Sequence, residues 1–201
     1  MTQRKAFLTK EQSLMLRGIA IFLVLISHYA VWIGEIFHSD LLEYGLGRFG
    51  VYGVDLFFAV SGYGLVKSVG KKRINGTFLW KRFKTVYLPY LLIVGLIAVY
   101  DGGISGMTGW VSFLTGAEYW YIRNILIFYL AFYVVYRLSD RSWVRMLLMA
   151  LCLTAYSGLL IWQGRALFWY ISNVTFLFGM LLAQYESCLL YTSDAADDRI
   201  S

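Results

Sequence analysis

The sequence predicts an all-α protein, a polytopic transmembrane bundle with about six spans. Three observations carry this. Of 201 residues, 59% are apolar and only 15% are charged, against about 25% charged in an ordinary soluble domain, and mean hydropathy is +0.62. The charges leave gaps of roughly 18–20 residues, enough for a helix to cross a hydrocarbon core of about 30 Å. Aromatic residues are abundant, with 7 Trp, 16 Tyr and 14 Phe, as expected where helix ends meet a lipid–water interface. The composition excludes an ordinary cytosolic domain, a disordered tail and a nucleic-acid-binding module. Two cysteines, Cys152 and Cys188, make no disulfide framework.

The spans follow in order. The first runs from about Leu14 to Ile33, with Arg17 near its start and Glu35 just beyond it. The second lies between Arg48 and Lys67 and contains Asp55, and the third lies between Lys84 and Asp101. The fourth runs from about Tyr119 to Tyr136, interrupted by Arg123. The fifth lies between Arg145 and Arg165, the sixth between Arg165 and Glu186. These runs are apolar on every side, unlike the short alternating segments of a membrane β-barrel. Met1–Lys10 is basic, but the apolar run after it is too long for a cleavable signal peptide and reads as a retained helix.

Net charge is +6, and its distribution sets the expected orientation. Arg4, Lys5, Lys10 and Arg17 precede or open the first span. Glu35, Asp40, Glu43 and Arg48 form a net acidic connection. Lys67, Lys71, Lys72, Arg73, Lys81, Arg82 and Lys84 crowd the next, Asp101 and Glu118 bound the third, and Arg137, Arg141 and Arg145 cluster before the fifth span. Basic and non-basic connections alternate, which places the N-terminus in the cytoplasm by the positive-inside rule. The expected location is the cell membrane.

The connection Asp101–Trp110 is Gly-rich and reads as external. It lacks the Lys-Ser/Thr ending and the preceding strand of a phosphate loop. Pro89, the single proline, either opens the third span or kinks it and frees a carbonyl. Residues 187–201 change character and read as a non-family tail of foreign sequence. The fold is therefore expected in residues 9–186.

The chemistry is sparse and specific. Arg17 and His28 are eleven positions apart, so about 100° per residue brings them to one helix face with a rise of about 16.5 Å. A permanent cation near the edge and a titratable imidazole deep in the span suit an extended anionic substrate. Arg17 alone also fits a snorkelling anchor, and His28 a structural hydrogen bond, although an ionisable group in hydrocarbon points to function. His38 reads as a solvated loop residue. Asp55, Ala59 and Gly62 form a small-residue seam that lets a neighbouring helix approach and cover the carboxylate; Asp55 either orients a catalytic partner or serves as a helix–helix strut. Arg82, with Lys81 and Lys84, is either topogenic charge or a phosphate clamp. Arg123 reads as a snorkelling or loop-paired cation. No metal site is expected.

Leu16-Arg-Gly-Ile-Ala-Ile, followed by Ser27-His28-Tyr29, resembles the first-helix motif of membrane acyltransferase family 3. Gly53-Val-Asp-Leu-Phe-Phe-Ala-Val-Ser-Gly-Tyr63 resembles its second-helix signature. Arg82-Phe-Lys-Thr-Val-Tyr-Leu-Pro89 resembles its basic-then-proline start of helix 3, and Trp120-Tyr-Ile with Ile127-Phe-Tyr129 the aromatic start of a later helix. The resemblance implies a multi-pass enzyme that moves an acyl group, usually acetyl, from acyl-coenzyme A to a hydroxyl of a carbohydrate or other envelope acceptor. It implies His28 as the catalytic histidine and Arg17 as the residue needed beside it for the donor; with the residue reading above, the expected site comprises His28 and Asp55 as catalytic and Arg17, Arg82 and Lys84 as donor-binding groups. The chain departs from the family at Val86, near where a second arginine stands. The family has about ten helices; six here imply an N-terminal portion lacking competence alone, with the Asp55 seam left against lipid. A different reading is a transporter or flippase using His28, Asp55 and Arg17 as a substrate or proton path. No symmetry between halves supports a repeat-built carrier.

Overall fold

The computed structural model describes residues 6–70, 74–100, 102–117 and 119–197. Arg4, Lys5, Lys71, Lys72, Arg73, Asp101 and Glu118, used above for orientation, lie outside the described residues, as do the last four positions of the tail. Among the described residues every regular element is helical, and six helical stretches are long and apolar enough to cross a membrane. They are Lys10–Phe37, Leu41–Val69, Thr77–Tyr100, Trp120–Leu138, Ser142–Trp162 and Leu167–Leu189, at the positions the charge gaps predict. The chain divides into two compact units, Met1–Gly70 with Tyr170–Ser201, and Lys71–Trp169.

The first unit is built on α1 (Lys10–Phe37), α2 (Phe49–Val69) and α8 (Asn173–Asp197). A capping box starts α1: the Gln12 amide donates to Thr9 Oγ1, and the Thr9 amide donates to Gln12 Oε1. These bonds satisfy two of the donors a helix start leaves unpaired. His38 ends α1 in the left-handed region at φ 50° and is exposed, as read. The chain then returns through the wide turn Leu41–Gly45 and a tight one at Leu46–Arg48. Ser27 Oγ ties that return to α1 by donating to the Gly47 carbonyl at 2.5 Å.

Small residues set the helix spacing. α1 buries Ala20, Ser27, Ala30 and Gly34. A Cβ on Gly53 would lie 2.6 Å from the Ala20 carbonyl oxygen, and one on Gly50 2.5 Å from Ser27 Oγ, so α1 and α2 meet with backbones nearly in contact. The opposite face of α2 receives α8. A Cβ on Gly179 would strike the Ala59 backbone, and one on Gly62 the Phe176 carbonyl. The seam of Asp55, Ala59 and Gly62 is thus occupied by α8, which corrects the expectation that it lies against lipid. The partner helix is present in the chain.

The second unit holds α3 (Thr77–Arg82), α4 (Leu88–Tyr100), α5 (Gly106–Thr115), α6 (Trp120–Leu138) and α7 (Ser142–Trp162). Pro89 takes the entry-turn position of the two the sequence allowed. It sits in the first turn of α4, directly after a widened turn at Phe83–Tyr87, because no proline N–H exists to hold the preceding turn closed. Large rings fill this core: Phe132 stacks on Tyr136 at 3.9 Å between centroids and on Phe78 at 5.6 Å, and Phe128, Phe132 and Met149 are fully buried. Asn124 is also fully buried, donating to the Trp169 carbonyl at 2.7 Å and accepting from Tyr156 at 2.8 Å.

The Gly-rich connection holds a helix that the sequence reading did not name. Gly102 and Gly103 make the turn at φ 95° and 96°, and residues 106–115 then form α5 instead of a plain external loop. Met107, Trp110, Val111 and Leu114 recur at helical spacing there. α5 doubles back on α4: Tyr90 donates to the Phe113 carbonyl at 2.7 Å and Tyr87 to the Leu114 carbonyl at 2.5 Å. Gly116, at φ 65°, ends it.

Candidate active site

α1 carries both residues of the arginine–histidine motif. Arg17 is half-buried and its guanidinium rests against α2, where a Cβ on Gly64 would lie 3.4 Å from Nη2. Its Nε is buried and makes no hydrogen bond among the described residues. A guanidinium carries five donors and no acceptor, and the one at Nε is buried here. His28 lies about three turns further on, is exposed, and among the described residues makes no hydrogen bond. A proton acceptor that must meet a substrate hydroxyl has to be reachable in this way.

Asp55 is not brought to either of them. It stands nine positions before Gly64, about 900° or half a turn around α2. Gly50, Gly53 and Gly64 face α1, whereas Asp55, Ala59 and Gly62 face α8. The Ser172 hydroxyl, fully buried before α8, lies beside the Asp55 carboxyl, yet Asp55 Oδ1 and Ser172 Oγ each lack a well-formed hydrogen bond among the described residues. The grouping of Asp55 with His28 gains no contact here; its position is that of the helix–helix strut.

Arg82 and Lys84 belong to the second unit. Arg82 is half-buried between the rings of Phe78 and Tyr129, 5.4 Å from each centroid, and is among the residues lining a cavity. Lys84 is exposed and lies 5.0 Å from the Trp80 ring centroid. Arg123 lies 5.9 Å from the Trp169 centroid. Among the described residues, no cluster of three His, Cys, Asp or Glu side chains could hold a metal ion.

One charged group of the first unit has no role in the sequence reading. Glu186, on α8, is buried. It pairs with Lys67 at the end of α2, accepts from Tyr63 Oη at 2.9 Å, and accepts from the Phe7 amide just before α1. The sequence reading used Glu186 only as a boundary. The available signal was that it is the one acidic residue in the apolar stretch after Arg165, where an ionisable group requires a partner.

The fold and these residues define a multi-pass helical membrane protein with cationic and titratable groups inside its spans. The sequence profile of the acyltransferase domain family matches residues 15–187, and the chain belongs to that family. A similar protein is "Protein 2 in picA locus" of Rhizobium radiobacter, 34% identical over 90 residues, a segment covering 42% of this chain and 42% of that protein. The matched segment thus spans less than half of that relative. No solved structure matches the chain.

Proposed function

We propose that the protein is a membrane O-acyltransferase that moves an acyl group, most simply acetyl, from acyl-coenzyme A to a hydroxyl of a carbohydrate or other envelope acceptor. The observation that carries this reading is Arg17, a half-buried guanidinium in a membrane span whose Nε makes no hydrogen bond among the described residues, on one helix with the exposed imidazole of His28. An always-charged fork suits donor phosphate. An imidazole suits a proton that must leave and return.

In the proposed reaction His28 takes the proton of the acceptor hydroxyl as its oxygen attacks the thioester carbonyl. A C–O bond forms and the C–S bond breaks. The coenzyme leaves as thiolate, and the proton held on His28 returns to sulfur or solvent. Arg17 holds donor phosphate about three turns away. Asp55, on the α8 face of α2, acts by positioning that helix. Arg82 and Lys84 are proposed as further cationic contacts for donor phosphate.

The proposed setting is the cell membrane, with the N-terminus cytoplasmic. The alternation of basic and acidic connections supports it. Glu186 ties Phe7, Lys67 and α8 together, so these three chain ends share one side in the proposed orientation. Purified protein given labelled acetyl-coenzyme A and hydroxyl acceptors tests the reading. Transfer should fall at least about 100-fold in His28→Ala while donor binding persists. Unchanged transfer in that variant would overturn the role of His28.

A further inference from the structure

The packing of α1 on α2 opens toward the start of α1. Gly50, Gly53 and Gly64 share the face of α2 that meets α1. A Cβ on Gly53 would lie 2.6 Å from the Ala20 carbonyl oxygen, and one on Gly50 2.9 Å from Ser27 Cβ. A Cβ on Gly64 would meet a single atom of α1 within 4 Å, Nη2 of Arg17 at 3.4 Å. The helices therefore touch closely at Gly50 and Gly53, and the tip of a long side chain fills the gap at Gly64. A polar network stands at this same end. Glu186, on α8, is 6% exposed; it pairs with Lys67 and accepts from Tyr63 Oη and from the Phe7 amide. The Leu8 amide donates to Tyr63 Oη at 3.2 Å. Tyr63 and Lys67 flank Gly64 in α2. One carboxylate thus grips the chain just before α1 and the stretch of α2 on which the Arg17 guanidinium rests.

We propose that Glu186 is a positioning residue for the donor: it sets the opening between α1 and α2 in which the Arg17 guanidinium stands, and so the geometry with which that guanidinium meets phosphate. The inference rests on the donor role of Arg17 proposed above. Close packing does not fix this end, because the contact at Gly64 is with a flexible side-chain tip. A buried carboxylate held by three donors does fix it, since moving any one of them strips a buried charge of a hydrogen bond. The far end has its own fasteners, the glycine contacts and the bond from Ser27 Oγ to the Gly47 carbonyl. A loss at Glu186 therefore falls on Arg17 and spares the neighbourhood of His28. The effect on binding is direct, because a guanidinium forks two bonds to phosphate oxygens only in its own plane.

The test uses the full chain in detergent micelles, with acetyl-coenzyme A binding read by calorimetry beside thermal unfolding. Glu186→Ala should weaken donor binding at least about tenfold, the scale of a misplaced binding group. Glu186→Gln keeps an acceptor for Tyr63 and the Phe7 amide, so it should recover part of that loss with a thermal midpoint close to the parent's. Tyr63→Phe should weaken binding in the same direction, by less. In an Arg17→Met background, adding Glu186→Ala should change the remaining binding by less than about twofold, because the two residues act as one unit. If Glu186→Ala fails to fold, Glu186→Gln and Tyr63→Phe decide the matter, each expected to bind the donor at least about threefold more weakly than the parent. Parent-like binding in the Glu186 and Tyr63 variants, with Arg17→Met weakened, overturns the positioning role alone. So does a full tenfold loss from Glu186→Ala on top of Arg17→Met. Parent-like binding in Arg17→Met itself overturns the donor reading, and this inference with it.

Discussion

The two units solve helix packing in opposite ways. In the first, α1, α2 and α8 meet through Gly50, Gly53, Gly62 and Gly179, with backbone close to backbone. In the second, α3 and α6 meet through Phe78, Phe132 and Tyr136, and the buried Asn124 has both a donor and an acceptor partner. Among the described residues, buried polar atoms without a well-formed hydrogen bond stand in both units: Arg17 Nε, Asp55 Oδ1 and Ser172 Oγ in the first, Tyr136 Oη in the second. Close backbone packing fixes a helix pair while leaving polar side chains at its edges unmatched. A fold built for stability alone would have paired or replaced them. In the first unit such groups stand beside a rigid small-residue frame, which suits the proposed donor site.

This contrast makes unequal demands on the units, and thermal unfolding in one detergent would read them in order of size. The second unit should be most sensitive to removal of atoms: Phe132→Ala should destabilise it by about 3–5 kcal/mol, because a fully buried ring leaves a cavity. The first should be sensitive to addition: Gly179→Val should cost about 1–3 kcal/mol, because the Ala59 backbone must move. Glu186→Gln should have a smaller effect, roughly 1 kcal/mol or less, since Tyr63 remains a partner and the Lys67 side chain is 41% exposed. Gly95→Ala in the second unit should be close to neutral or mildly stabilising. Its Cβ would meet Phe113 at 3.6 Å, an ordinary contact, and alanine favours the helix by about 0.5–1 kcal/mol. If Gly179→Val were as mild as Gly95→Ala, the contrast between the units would fail.

The sequence made the spans legible because charge is so scarce that each gap marks a helix. The seam at Asp55 was legible from its spacing of four and three, but the helix that fills it was not. α8 lies more than a hundred residues further on, and small-residue spacing names a face without naming a partner. α5 was hidden because glycine dominates its approach; its apolar spacing at Met107, Trp110, Val111 and Leu114 was the weaker signal. Glu186 was missed because a charge at the end of an apolar run reads as a border, whereas its burial depends on Lys67 and Tyr63 far away in sequence. For Arg17 and His28, helical periodicity alone put both on one face of α1.

The central claim is that Arg17 is kept for a ligand and not for the fold. Arg17→Met tests it by pairing two readings on one purified protein, thermal unfolding and calorimetric binding of acetyl-coenzyme A. Methionine preserves apolar contact along α1 and removes a buried donor that has no hydrogen-bond partner among the described residues. The account predicts unchanged or slightly raised thermal stability together with donor binding weakened at least about tenfold, the scale of a lost charge-assisted hydrogen bond. A marked loss of stability with donor binding intact would contradict it and make Arg17 a structural anchor of the first helix.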